Sequence, residues 1–190
     1  YMYLTRRRCV LTYGGRKVQL PECPSARPPL RMGASADLQG FIMFTDSSWK
    51  TRQTYAGYII LFGNAAVDWA SSLLKVQLSS GEAETAAVAL GGRRLIYLRQ
   101  LISEIYNMPA KPISCVTDNT AVPPITENVG VSRRTEHFRR WQAFGRYLVS
   151  HGYIYVHTCK DEDMYADSMT KITNLHKYIT FQKVLFNIRK

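Results

Sequence analysis

Phe41-Ile42-Met43-Phe44-Thr45-Asp46-Ser47-Ser48-Trp49 is the stretch on which the fold turns. Its first five residues form a short, almost continuous apolar run, the pattern of a strand buried on both faces. Such a strand needs a covering layer above and below it, which points to an α/β architecture. The run ends on a carboxylate, Asp46, where the strand is expected to give way to a turn.

Reading outward, Tyr55 to Phe62 is expected to form a second strand and Ala65 to Ala70 a third, with Gly63-Asn64 as a tight hairpin between them. Ser79 followed by Glu82 is a capping box that opens a long helix. Ala83, Ala87, Leu90, Leu95, Leu98, Ile102 and Ile105 mark its apolar face, and Asn107 and Pro109 its end. Ile113 to Thr117 predicts a fourth strand ending at Asp118, followed by a helix that Pro123-Pro124 must shorten or distort. Phe138, Trp141, Phe144 and Leu148 stripe a further helix, and Tyr153 to His157 alternates as a fifth strand. Asp163 to Lys171 and Leu175 to Ile188 read as helices. Three consecutive strands pair antiparallel, whereas strands reached through helices run parallel by right-handed crossovers. The expectation is a mixed five-stranded sheet, three antiparallel strands then parallel ones, with helices on both faces. In such sheets chemistry gathers at strand ends and helix starts.

Residues 1 to 38 differ from this pattern. Val10 to Leu20 around Gly14-Gly15 predicts a small hairpin, with Arg6-Arg7-Arg8 before it, and Pro21, Pro24, Pro28 and Pro29 make 21 to 38 a linker. The main domain is expected over 39 to 172, with an amphipathic helix or tail over 173 to 190. Opening on Tyr1-Met2-Tyr3, the chain reads as a portion of something longer.

The composition narrows the class of activity. With 190 residues and 46% hydrophobic content, a packed core is expected. No apolar run approaches the roughly 18 residues of a membrane span. Cys9, Cys23, Cys115 and Cys159 are far apart and form no CxxC, so ordinary reduced thiols and an intracellular setting are expected. Twenty-five Lys and Arg against 14 Asp and Glu give a formal net charge of +11. That excess suits a phosphate backbone, although basic proteins without such a partner are common.

Against that charge stand four carboxylates: Asp46, Glu84 and Asp118 near predicted strand or helix ends, and Asp167 within the predicted helix of 163 to 171. Clustered carboxylates repel unless cations neutralise them, and hard oxygen ligands suit Mg²⁺ or Mn²⁺. Paired ions of this kind can drive phosphodiester cleavage. Each residue also has a plainer reading. Asp46 could make a turn, and Asp118 could be an N-cap. Glu82 competes with Glu84 but has local work at the helix start. Asp163 competes with Asp167, which is expected in a helix interior where Asp is a poor helix former.

The motifs in order resemble the ribonuclease H domain of a copia-type retrotransposon polyprotein over roughly 40 to 172. They are Thr-Asp-Ser-Ser-Trp at 45–49, Ala-Gly-Tyr at 56–58, Leu-Ser-Ser-Gly-Glu-Ala-Glu at 78–84, Thr-Asp-Asn at 117–119 and Ala-Asp-Ser-Met-Thr-Lys at 166–171, with Arg134-Thr-Glu-His137 beside them. Tyr3-Leu4 through Leu11-Thr-Tyr-Gly14 is similar to the end of the preceding reverse transcriptase. The resemblance implies a ribonuclease H-like fold and hydrolysis of the RNA strand of an RNA–DNA hybrid. It implies two Mg²⁺ ions, with Mn²⁺ able to substitute, held by Asp46, Glu84, Asp118 and Asp167. One ion activates water and the other stabilises the leaving 3′ oxygen. The implied partner is the reverse transcriptase of the same polyprotein, in a cytoplasmic virus-like particle with access to the nucleus. His157 falls where related enzymes carry a His that assists proton transfer or product release, and strand alternation could equally just expose it.

Lys50, Arg52, Asn119, Arg133, Arg134, Arg139 and Arg140, with Arg146 nearby, are candidates to grip the hybrid; a solvated helix face would also account for most of them. Asn119 could instead orient a carboxylate. Trp49, Trp69 and Trp141 are expected in the core. The family usually has Asp-Ala-Asp-Trp where this chain has Asp46-Ser47-Ser48-Trp49, Lys at Glu136, Pro at Ile172, and a shorter loop between Val156 and Asp167. These departures bear on efficiency and substrate contacts. Two rival classes are a catalytically inactive nucleic-acid-binding module supporting a reverse transcriptase, and a related-fold exonuclease or integrase-like enzyme. The intact carboxylate set speaks against the first, and the Leu78–Glu84 motif against the second.

Overall fold

The computed structural model describes residues 40–50, 53–62, 65–74, 77–106, 111–127 and 136–186. The predicted hairpin and linker of 1–38, and the Gly63-Asn64 turn, lie outside them. The strands are β1 (Phe41–Ser48), β2 (Thr54–Phe62), β3 (Ala65–Leu74), β4 (Ile113–Thr117) and β5 (Ile154–Thr158). The helices are α1 (Ser80–Tyr106), α2 (Val122–Glu127), α3 (Arg139–Ser150), α4 (Asp167–Thr170) and α5 (Leu175–Phe186). One sheet of order β3-β2-β1-β4-β5 carries them.

β1 is central and buried along its whole length, as its apolar run requires. It pairs antiparallel with β2, Phe41 opposite Phe62 and Asp46 opposite Gly57, and parallel with β4. β2 pairs antiparallel with β3, and β4 parallel with β5. The mixed five-stranded sheet expected from the sequence is the sheet observed. Alternation along β1 sends Phe41 and Met43 to one face and Ile42 and Phe44 to the other. The first pair packs with Val88 and Leu95 of α1 and Leu148 of α3. The second packs with Met164, Ala166, and Phe181 and Leu185 of α5. Helices therefore cover both faces, and α5 belongs to the core of the second layer.

Several local expectations change. β3 runs four residues beyond Ala70, to Leu74, because its alternating second half lies on an edge strand and needs only one buried face. The helix expected over Asp163 to Lys171 is instead a 3₁₀ turn at Asp161–Asp163 and the single turn of α4. Asp167 is consequently the first residue of α4 and not a helix-interior residue. The α1 stripe leaves the core at its end: Ile105 is exposed, as are Leu101 and Tyr97 one and two turns before it. Trp49 and Trp69 are 45% and 36% exposed, which corrects their assignment to the core. Pro123 and Pro124 sit in the first turn of α2, where backbone N–H groups have no helical partner, so the helix tolerates both.

Close approach fixes where α4 lies. A Cβ at Gly57 would fall 2.6 Å from Met169 Cβ and 2.8 Å from Thr170 Cγ2. α4 thus rests on the bare backbone of β2, directly across from Asp46. Gly57→Ala should force these apart and lower stability by about 1–3 kcal/mol in urea unfolding, the usual cost of overpacking. An unchanged midpoint would mean that α4 does not depend on this contact.

Candidate metal centre

β1 and β4 run side by side in the same direction, so Asp46 near the end of one and Asp118 just past the end of the other meet at one edge of the sheet. α1 brings Glu84 to that edge from one layer, and α4 brings Asp167 from the other. Ligand oxygens of Asp46, Glu84 and Asp118 lie within 4.8 Å of one another. Those of Asp118, Asp161 and Asp167 form a second such group. Asp118 belongs to both.

The N-terminus of α1 separates the two glutamates. Ser79 Oγ accepts from the Glu82 N–H at 3.2 Å, and Glu82 Oε2 accepts from the Leu78 N–H at 2.7 Å. This is the predicted capping box, closed on Leu78 rather than on Ser79 itself. Glu82 is further engaged by His137, whose Nε2 lies 3.7 Å from its carboxylate. Glu84, two residues on, faces β1, where Ser47 Oγ donates to its Oε1 at 2.8 Å. On the opposite face Thr170 Oγ1 donates to Asp46 Oδ2. Neighbouring β1 residues thus address different layers: Asp46 meets α4 and Ser47 meets α1.

Burial dominates the electrostatics. Asp46 and Asp167 are each 1% exposed and Glu84 is 5% exposed. Burial, opposed by the Thr170 bond and Lys171, pushes Asp46 up to about 7. Burial and then the negative charge of Asp46 push Glu84 to about 8. Asp118 is raised as well, by burial first and by Asp167 second. Glu84 Oε2 is buried without a hydrogen-bond partner. A buried carboxylate with an orphaned oxygen, within ligand distance of two other carboxylates, suits a hard cation, so these residues fit the divalent ion that the fold implies. Asp167 is held differently. Lys171 Nζ lies 2.9 Å from its Oδ1, and Lys177 Nζ bonds its Oδ2.

Other expected site residues lie elsewhere or make other contacts. His157 points to Ser114 on β4, within hydrogen-bonding contact of its hydroxyl, and burial holds its imidazole below the usual value. Neither candidate cluster includes it. Asn119 Oδ1 accepts from the Ala121 N–H at 2.9 Å, which shapes the turn into α2. Lys50, Arg139 and Arg140 are exposed. Arg139 and Arg140 share a hollow with Arg93, lined by Phe138, Trp141 and Phe144. Arg52, Arg133 and Arg134 lie outside the described residues. Sequence reasoning missed Ser47 and Thr170, because a lone hydroxyl carries no spacing signal. It also passed over Asp161, because the acidic run Asp161-Glu162-Asp163 reads as a helix start, and Lys177, whose partners are distant in sequence.

Comparison with known proteins supplies the frame for this geometry. The chain is 26% identical over 152 residues to a retrovirus-related Pol polyprotein from transposon TNT 1-94 of Nicotiana tabacum, covering 80% of this chain and 11% of the relative. The N-terminal ribonuclease H domain of a Mycobacterium tuberculosis protein superposes with a TM-score of 0.54 at 12% identity, over 68% of this chain and 89% of that one. The structure has the ribonuclease H fold, and the sequence is similar to a retrotransposon Pol polyprotein. LC11 ribonuclease H1 from compost, solved with an RNA/DNA hybrid, matches with a TM-score of 0.54 at 13% identity over 68% of this chain and 92% of its own. A foamy viral protease-reverse transcriptase, also with an RNA/DNA hybrid, matches with 0.51 at 14% identity, over 94% of this chain and 25% of that one. No protein-family model matches the chain. Among the described residues, no helix is long and apolar enough to cross a membrane.

The raised carboxylates make stability depend on pH in a definite direction. In the fold, Asp46 and Glu84 keep their protons to about 7 and 8, whereas unfolded they ionise near 3.8 and 4.5. The unfolded chain therefore binds fewer protons, and stability falls as pH rises from the lower pair of values to the higher. In EDTA, thermal unfolding should show the melting temperature dropping between pH 5 and pH 8 more steeply for wild type than for Glu84→Gln. Mg²⁺ should restore wild type most at the alkaline end. Equal slopes for the two proteins would contradict the burial of ionisable groups at this edge.

Proposed function

We propose that this domain hydrolyses the RNA strand of RNA–DNA hybrids during reverse transcription of a copia-type retrotransposon, with two divalent ions, Mg²⁺ or Mn²⁺, at the sheet edge. The observation that carries the reading is the convergence of Asp46, Glu84 and Asp118 on one point, with Asp167 across Asp118 from it. Four buried or half-buried carboxylates are costly, roughly several kcal/mol for each ion taken from water without a partner. A cation-binding role accounts for keeping them; a purely structural one does not. The hybrids held by two solved relatives of the same fold support the substrate.

Divalent ions bound at these carboxylates would activate water and neutralise charge on the scissile phosphate. The chain's own contribution is position. The Ser47 hydroxyl fixes one oxygen of Glu84 and leaves Oε2 free for a cation. The Thr170 hydroxyl does the same for one oxygen of Asp46. The partly buried edge lowers the local dielectric, so each charge interaction there is stronger than in water. Arg93, Arg139, Arg140 and Lys50 supply positive charge for the hybrid's phosphates. Glu84 and Arg93 stand nine residues apart on α1, roughly 14 Å by helical rise, so one substrate could touch both. We place residues 39–172, with α5 packed against them, in the nuclease proper and 1–38 at its junction with the polymerase, which with the hybrid is its proposed partner.

A labelled RNA–DNA hybrid with Mg²⁺ should be cut in its RNA strand, while a DNA duplex is spared. Asp46→Asn should reduce cutting by about a thousandfold, with hybrid binding retained and weakening steeply as salt rises. A wild-type chain that binds hybrid without cutting it would favour the inactive, polymerase-supporting module.

A further inference from the structure

The two halves of the carboxylate cluster are not equivalent, and the difference comes from α5. Among the described residues no ammonium pairs directly with Asp46 or Glu84; hydroxyls of Thr170 and Ser47 serve them instead. In the other half, Lys177 Nζ lies 3.1 Å from Asp161 Oδ2 and bonds Asp167 Oδ2. Those two carboxylates, with Asp118, are the second group able to hold a cation. The Lys177 ammonium therefore occupies oxygens that a divalent ion would need. An ammonium and a divalent ion on the same oxygens repel strongly at such short range.

Lys177 is held there by its helix. Asn174 Oδ1 accepts the Lys177 N–H at 2.9 Å and caps the start of α5. Phe181 and Leu185, four and eight residues on, are buried beneath the sheet. Residues at this spacing share one helix face, so anchoring them turns Lys177 inward. Its side chain is only 15% exposed. Asp161 reaches the same place from the 3₁₀ turn between β5 and α4, the loop that the sequence marks as longer than usual.

We propose that Lys177 is a resident cation of the second carboxylate position, displaced when a divalent ion binds between Asp118, Asp161 and Asp167. The proposal rests on reading the cluster as a metal centre and concerns the order in which its halves fill. Without metal, Lys177 and Lys171 together neutralise Asp167 and hold α4 in place. With metal, the Asp46–Glu84–Asp118 half fills first, and the second half fills only at higher ion concentration, as Lys177 withdraws.

Mn²⁺ binding to the full chain, without nucleic acid, tests this by the loss of the free-ion electron paramagnetic resonance signal. Wild type should show one tighter and one weaker site. Lys177→Met should tighten the weaker site by about tenfold, the scale of one charge-assisted contact, and leave the tighter one unchanged. Lys177→Arg, which keeps the charge, should retain the weak site, and Asp161→Asn should weaken it further. In EDTA, Lys177→Met should melt below wild type and recover on adding Mn²⁺. Two sites with the weaker unmoved by Lys177→Met would overturn the proposal while leaving the metal centre standing. No Mn²⁺ binding by a folded wild-type chain would overturn the metal centre and the proposal with it.

Discussion

Negative charge held out of water at the shared end of two parallel strands is the constraint around which this domain is arranged. β1 and β4 lie next to each other in the sheet order and point the same way, so Asp46 and Asp118 are delivered to one edge by backbone geometry alone. That edge then receives Glu84 from the layer above and Asp167 from the layer below. Burial first, and the neighbouring carboxylates after it, raise the proton affinity of Asp46 and Glu84. Everything nearby relieves it by hydroxyl donors, by lysines, or by leaving an oxygen open to a cation.

The two core layers serve this edge in different ways. α1 is long, capped at Ser79 and packed along β1 and β2, so Glu84 in its second turn is rigidly placed. α4 is a single turn and cannot be stable alone. It is held by contacts: the close seat on Gly57, the Thr170–Asp46 bond, and the lysines on Asp167. A short helix held at several points can position a carboxylate well. It also makes that carboxylate sensitive to its surroundings, which is why the charges contributed by α5 and the preceding loop matter.

Several departures from the family pattern acquire physical content here. Ser47 stands where the family usually has Ala, and its hydroxyl restrains Glu84. The longer loop before Asp167 carries Asp161 into the second carboxylate group. Trp49, expected in the core, instead sits half out of it with its indole N–H donated to the Gln77 carbonyl at 3.0 Å, tying the loop after β1 to the approach to α1.

Much of this was legible in the chain itself. Apolar periodicity and turn chemistry are local, so the strands, the capping box and the order of elements could be read from residues, and with them the mixed sheet. Asp46, Glu84 and Asp118 could be named because each sits beside a readable strand or helix signal, whereas Asp167 was singled out by the family resemblance. Glu84 could be preferred to Glu82 because capping is also local. What only the tertiary structure decided depends on contacts between residues far apart in sequence. The helical pattern of 163–171 gave way to one turn of α4, since packing on Gly57 outweighs weak local propensity. His157 meets Ser114 because strand register sets it opposite Val116, two residues from Ser114 along the same face of β4. Lys177 lies on Asp161 and Asp167 because α5 is anchored through Phe181 and Leu185, a long-range constraint that no local spacing encodes.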